Sequence, residues 1–254
     1  VKYNIFTVLN EGYERFGLIF LSSIIDNIDL KRIENIFVYD TGLSEKTIQK
    51  YSVFDKVKIV SSGIQTDSDT SVHGETWQKN VYSKAKLLKH CVENQKDFLP
   101  TVMVDADSIF IKEFFQLLDL KSDMVLCKRS SRGRAKGHVS TSSHIGSFFS
   151  INKKTEETMK FLDSWIKKIE IAPDKHPLTG EYLAKESPSL SSTYSEFKDQ
   201  LELSELLEPV ISNIEIFPPK DAVIYHLKSD AGYMTVEERT RQPRARYYTQ
   251  RYLA

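Results

Sequence analysis

The 254-residue sequence predicts an α/β fold: a mostly parallel sheet flanked by helices, followed by a smaller mixed C-terminal part. Three observations carry that expectation. Short β-branched and aromatic runs alternate with helical stretches through the first half, as in sheets whose strands are joined by crossover helices. One run, TVMV (101–104), is apolar throughout, the mark of a strand covered on both faces. After it the alternation loses its regularity.

YNIFTVL (3–9) reads as the first strand, and the amphipathic stretch behind it, through Ile28, as a helix. NIFVYDTG (35–42) is a second strand ending in Asp-Thr-Gly turn chemistry, and KVKIVSS (56–62) a third. The polar GIQTDSDTSVHGET (63–76) is expected as a surface loop. From Trp77 to Asn94, Val81, Ala85, Leu88 and Val92 recur at helical spacing. TVMV then belongs in the middle of the sheet. MVLC (124–127) and SFFSIN (147–152) read as strands, and Lys153–Ile169 as a helix with Met159, Leu162, Trp165, Ile166 and Ile169 inward. Residues 171–194, with three prolines and many serines, read as a long loop of the kind that often carries function. EFKDQLELSELL (196–207) is expected to be helical, and NIEIFP (213–218) and AVIYHL (222–227) to close the chain as strands.

Composition excludes several classes. Thirty-five basic residues balance thirty-five acidic ones, which argues against a nucleic-acid partner. Cys91 and Cys127 lie far apart with no CxxC spacing, so neither a zinc site nor a disulfide framework is expected, and a reducing, cytoplasmic setting is. No run reaches the roughly 18 apolar residues of a membrane span. The longest, FGLIFLSSII (16–25), reads as a buried helix, and no signal peptide is evident. A start at Val1 fits a piece of a longer protein. The tail from 239 carries Arg239, Arg241, Arg244, Arg246 and Arg251 without an acid. It reads as a solvated helical end or a contact to another domain, with peripheral contact to an anionic membrane as the sharper alternative.

In parallel sheets, ligands bind outside the carboxyl ends of the strands. Asp105 and Asp107 follow TVMV there, and Asn10 and Asp40 end the first two strands. Residues two apart on a strand point the same way, so Asp105 and Asp107 can converge on one hard cation, Mn²⁺ or Mg²⁺. The competing reading of DADS is an Asx-type turn with Asp107 capping the next element of the chain. The motif by itself leaves both open.

The surrounding segments bear on that choice. VMVDADS, preceded by YSKAKLL (82–88) and followed by HIGSFFSIN (144–152), KDQL (198–201) and IYHLKS (224–229), resembles the GT-A glycosyltransferases of the glycogenin-like and bacterial galactosyltransferase kind, across roughly residues 3–229. The resemblance implies a Rossmann-like GT-A sheet in one domain over 1–254. Its nucleotide-binding half would be 1–107 and its sugar and acceptor half 108–238, with 239–254 as the basic tail.

It further implies that Asp105, Asp107 and His226 bind Mn²⁺ or Mg²⁺, and that Lys84, Asp105 and Ala106 meet the donor. Thr7, Asn10 and Tyr13 would take the base and ribose, and Lys228 the β-phosphate. His144 and Gly146 would line the sugar pocket, His144 standing where the family often has asparagine. Asp199 and Gln200 would lie beneath the reacting sugar as the catalytic pair. The implied activity is metal-dependent transfer of a hexose or pentose from a nucleotide-diphosphate donor, UDP by family habit with GDP as the alternative, to a glycan or other hydroxyl acceptor.

Three rivals share parts of this pattern. A haloacid-dehalogenase-like phosphatase also uses Asp-x-Asp after an apolar strand, but near the domain start and with a later acidic pair; no adjacent Asp-Asp comes after it here. A nucleotidyltransferase would want a glycine-rich loop after the first strand, where this chain has NEGYERFG. A non-catalytic nucleotide-sugar-binding module is the third, against which two intact acids and His226 argue.

Overall fold

In the computed structural model, which describes residues 1–70, 74–129, 142–175, 177–178, 180, 182–183, 185–207, 211–212, 222–227 and 243–252, the run Tyr3–Leu9 forms β1. β2 (Ile33–Asp40) and β4 (Thr101–Val104) pair parallel to it on either side, and β3 (Val57–Ser61) parallel to β2. β5 (Ser108–Phe110), β6 (Met124–Lys128), β7 (His144–Ile151), β8 (Leu203–Leu207), β9 (Ile211–Ser212) and β10 (Ile224–His226) come later in the chain. The main sheet has seven strands in the order β3-β2-β1-β4-β7-β6-β8, and a second of three runs β5-β10-β9. TVMV is therefore the middle strand. Only β7 among the seven runs antiparallel to its neighbours.

Side-chain alternation divides the core into two layers. Ile5, Leu9, Val102 and Val104 face α1 (Glu14–Asn27), packing with its Phe20, Leu21 and Ile24. Phe6, Met103 and Phe149 face the opposite way, onto Leu88 of α3 (Glu75–Glu93), Leu162 and Trp165 of α4 (Glu156–Ile171) and Leu190 of α5 (Glu186–Phe197). Helices on both faces are what make a continuous apolar run the right sequence for β4. α4 opens with a Thr155–Thr158 capping box, which sets its start three residues beyond the expected Lys153. α2 (Glu45–Tyr51), capped by Ser44, joins β2 to β3 and had no counterpart among the expected elements.

Two expectations in the second half fail. The Ser-rich stretch read as loop contains α5. There Ser191, Thr193 and Ser195 donate their hydroxyls to carbonyls four residues back, while Leu190, Thr193 and Phe197 are buried. Back-bonding satisfies the hydroxyls, and the buried stripe holds the helix. The stretch read as helix over 196–207 instead turns at 198–200 and becomes β8, which pairs parallel with β6 from Met124↔Leu203 to Lys128↔Leu207. The expected strand at 213–218 lies outside the described residues.

The described part of the basic tail is α6 (Pro243–Tyr252), laid against α1. Ala245 and Tyr248 join Phe16, Ile19, Ile109 and Tyr225 in a third apolar cluster. Asn27 donates to the Tyr248 hydroxyl at 2.7 Å, and Arg251 pairs with Asp26 at 3.1 Å. Among the described residues no helix is long and apolar enough to cross a membrane.

Met103 is fully buried in the middle strand, so Met103→Ala is expected to cost about 2–5 kcal/mol through lost transfer energy and a cavity. Urea unfolding should show a lower midpoint with an unchanged m value.

Candidate active site

β4 ends at Val104, and the chain turns through Asp105–Asp107 into β5. The Asp105 amide donates to the Ser147 carbonyl of β7 (3.2 Å), and the Leu227 amide to the Asp107 carbonyl (2.8 Å), so both acids are tied to neighbouring strands. β10 lies antiparallel on β5 with His226 opposite Ser108, which brings the imidazole over the turn. His226 Nε2 is 2.7 Å from Asp107 Oδ1 and 3.8 Å from Asp105 Oδ2. One ligand atom from each of the three lies within 4.8 Å of the others. Two carboxylate oxygens and an imidazole nitrogen are a donor set that fits a divalent cation of the Mn²⁺ or Mg²⁺ kind. DADS is thus both things at once, a turn between strands and a cluster able to hold a metal.

Beside the acids stands Lys84 of α3, buried, with its ammonium 2.7 Å from Asp105 Oδ1 and 3.0 Å from Glu186 Oε1. Burial opposes its charge, yet Asp105 and Glu186 outweigh that and hold the ammonium above its ordinary range. Glu186 opens α5 and its carboxylate occupies the space where a Cβ at position 146 would sit, so Gly146 is a packing requirement. The Trp165 indole donates to the Glu186 carbonyl at 3.1 Å, and Lys185 donates to the Ala172 carbonyl (2.8 Å) and Asp174 (2.6 Å). The first turn of α5 is held from three directions.

An open cleft adjoins this corner. Trp77, Asn80, Val81 and Lys84, spaced on one face of α3, form one wall; Val8, Asn10, Tyr13, Asp69 and Asp105–Asp107 complete it. The Asn10 amide donates to the Asp67 carbonyl at 2.8 Å, and its buried Oδ1 has no partner among the described residues. Such an atom favours a ligand that brings an N–H or O–H. The loop before α3, read as plain surface, is a fixed wall. Both the amide and the hydroxyl of Thr66 donate to the Thr41 carbonyl at 2.7 Å, and Gly42 at φ 131° leaves the room for that approach.

Of the residues singled out from sequence, Asn10, Tyr13, Lys84, Asp105, Ala106 and Asp107 line the cleft, and His226 adjoins it. Thr7 does not: β1 alternation sets it on the α1 face with Ile5 and Leu9, while Val8 faces the cleft. Asp199 and Gln200 are also misplaced. They sit exposed in the turn before β8, whose first residue is level with Met124 and hence with Ile151 and Thr101, at the amino end of β4. At roughly 3.3 Å per residue that turn is about 13 Å or more from Asp105, toward the opposite end of the strands. Gln200 only donates back to the Glu196 carbonyl. The acid brought to the site instead is Glu186, missed because a serine-rich segment did not look helical. Asp40 spends its carboxylate on the Gly42 and Leu43 amides, a turn function. Lys228 lies outside the described residues.

His144 is also turned from the expected sugar pocket. It is buried, with Nδ1 2.9 Å from Ser143 Oγ, Nε2 2.8 Å from Glu205 Oε1, and its ring 4.2 Å from that of Tyr194. Lys128 holds the other Glu205 oxygen at 2.7 Å.

A layered sheet with metal-competent acids beyond its middle strand defines a class, the GT-A-like glycosyltransferase fold, and solved structures bear this out. The chain is similar to a WbbM bifunctional glycosyltransferase (TM-score 0.56, 11% identity), covering 100% of this chain and 52% of that one. It is similar to the galactosyltransferase LgtC in complex with donor and acceptor sugar analogues (0.53, 12%; 97% and 94% covered). It is also similar to the glycosyltransferase GlyE of Streptococcus pneumoniae TIGR4 (0.55, 13%; 98% and 63% covered). The chain thus spans about half the length of WbbM and under two thirds of GlyE. No protein-family model matches the sequence, and no curated protein matches it.

The His144–Glu205 pair gives a pH prediction. Burial pushes His144 down; burial pushes Glu205 up, but the hydrogen bonds from Lys128 and His144 outweigh it and leave Glu205 below its ordinary value. With both folded-state values depressed, the unfolded chain takes up protons first on acidification. Stability is therefore full above the ordinary histidine value of 6.5 and is lost as pH falls through the folded values. Melting temperatures measured from pH 7.5 to 4.5 should fall more steeply for the wild type than for His144→Gln.

Proposed function

We propose that this chain is a metal-dependent glycosyltransferase that moves a sugar from a nucleoside-diphosphate donor, UDP-linked in first place, to a hydroxyl acceptor such as a glycan. The observation that carries the reading is the continuous cluster of Asp105, Asp107 and His226 joined through Lys84 to Glu186, beside an open cleft that Asp105 and Asp107 help to line. Asp105, Asp107 and His226 would hold Mn²⁺ or Mg²⁺. A divalent ion there supplies neutralisation of the charge that gathers on the departing diphosphate.

The chain's own residues do the rest. Asn10 Oδ1 accepts from the base, a role that suits uracil N3–H, and Trp77 and Tyr13 supply aromatic surface for base and ribose. Glu186 accepts from sugar hydroxyls and so orients the ring, with Lys84 fixing its carboxylate. The acceptor hydroxyl oxygen bonds the anomeric carbon and gives up its proton, while the bond from that carbon to the diphosphate oxygen breaks and its electrons leave with the nucleotide. A phosphatase of the rival kind would use Asp105 as nucleophile, but this carboxylate is engaged by Lys84. The two buried cysteines, Cys91 and Cys127, held as thiols, support a cytoplasmic setting, and the exposed side of α6 is where peripheral membrane contact would occur.

A thermal-shift screen of UDP- and GDP-sugars with and without Mn²⁺ is the direct test. A true donor at a hundred times its dissociation constant should stabilise the protein by about 2.7 kcal/mol. Asp107→Ala should abolish the Mn²⁺-dependent part of that shift; full donor turnover by this variant, indifferent to metal, would defeat the reading.

Glu186→Gln probes the sugar contact separately. Turnover is expected to fall about a hundredfold, equivalent to ~2.7 kcal/mol of lost transition-state stabilisation, with UDP affinity within about twofold of wild type. Isothermal titration and product chromatography read the two quantities.

A further inference from the structure

We propose that His144 is a positioning residue: held by Glu205, it sets the seat of α5 on β7 and thereby the place of the Glu186 carboxylate. The inference rests on the reading of Glu186 as a sugar contact only for its functional consequence.

β4 stops at Val104, whose partner on β7 is Phe148. The first residues of β7 therefore run on past β4, and their amides need acceptors from elsewhere. α5 supplies them. The His144 amide donates to Ser191 Oγ at 3.0 Å and the Gly146 amide to Ser187 Oγ at 3.4 Å, two hydroxyls one helical turn apart. Tyr194, eight residues or about 12 Å along α5 from Glu186, lays its ring on the His144 ring. Strand and helix are thus joined at Gly146–Glu186, at the two serine bonds and at the His144–Tyr194 stack. The last of these is anchored from outside by Glu205 on the edge strand β8.

The side chain of His144 is fully used by this arrangement. At 1% exposure, with Glu205 and Ser143 on its two nitrogens and Tyr194 on its face, it has no bond left for a sugar hydroxyl. Glu205, an ionised acceptor beside Lys128, calls for the Nε2–H tautomer, which leaves Nδ1 to accept from the Ser143 hydroxyl. A rigid helix carries any shift at Tyr194 to its first turn, where the Glu186 carboxylate lies over Gly146 and meets Lys84.

Two substitutions separate this role from a direct contact with sugar. Glutamine places its amide nitrogen where Nε2 lies and keeps the bond to Glu205; asparagine reaches only as far as Nδ1. Hydrogen exchange of the α5 peptide, Mn²⁺ affinity, UDP affinity and turnover of UDP-glucose and UDP-galactose are measured for His144→Gln and His144→Asn. In His144→Asn, α5 should exchange about tenfold faster and turnover should fall about tenfold, the size of one lost buried hydrogen bond. Mn²⁺ and UDP affinities should hold, and His144→Gln should restore both protection and turnover.

Retained α5 protection and turnover in His144→Asn would overturn the proposal, as would a loss of turnover in both variants with α5 protection intact. If His144→Asn loses protection across the whole sheet, Glu205→Gln decides, because it weakens the anchor and leaves the ring in place: faster exchange confined to α5 supports the proposal and unchanged exchange refutes it. Should the wild type turn over neither donor, the glycosyl-transfer reading is weakened while the exchange comparison still decides the seat of α5.

Discussion

The site is organised by one buried cation. Lys84 reaches from α3 to Asp105 beyond β4 and to Glu186 at the head of α5, so a single ammonium ties together three elements that also share one apolar core layer. An ammonium taken out of water is costly, and it is tolerable only with well-placed carboxylates to repay its desolvation. Here two do so, which is why Lys84 stays charged despite its burial. The dependence is mutual. Without Lys84 the two acids would face the same small space with like charge, and the first turn of α5 would lose its reason to press on Gly146.

The middle of the sheet and its acids were legible because local and global signals agree there. Four consecutive apolar residues are required of a strand packed on both sides, and the polar residues after them must surface at a strand end. Lys84 was singled out only through the resemblance, since its place on a lysine-rich helix reads equally well as a solvated face. Glu186 was not singled out at all, because serine-rich sequence ordinarily favours turns, and the bonds that reconcile those serines with a helix are made only once β7 is present to receive them. Asp199 and Gln200 came from the match of KDQL to the family's pair, and a short motif carries no information on which end of the sheet it will occupy.

Thr7 and His144 teach a finer lesson about parity. On a strand every second residue faces the same layer, so Thr7 shares the α1 side with Ile5 and Leu9 while its neighbour Val8 reaches the cleft. His144 and Gly146 share a face as well, and that face is covered by α5. A histidine at the first of these positions can satisfy both its nitrogens only if the edge strand offers an acid, and Glu205 is that acid. Nothing near His144 in sequence announces it, since the partner arrives sixty-one residues later on a strand the sequence disguises as helix.

Charge at the carboxyl end of β4 also constrains the order of events. Among the described residues, Asp105, Asp107 and Glu186 stand around a single ammonium, an excess of negative charge at the place where a diphosphate would lie. Like charges at such range repel by several kcal/mol in a partly buried setting, at ~332/(εr) with an effective ε of about 20. A divalent cation held by Asp105, Asp107 and His226 would cancel that excess. On the proposed reading, the acids would oppose a metal-free donor and a bound cation would relieve that opposition. Lys84 cannot substitute for the ion, because its charge is already committed to Asp105 and Glu186.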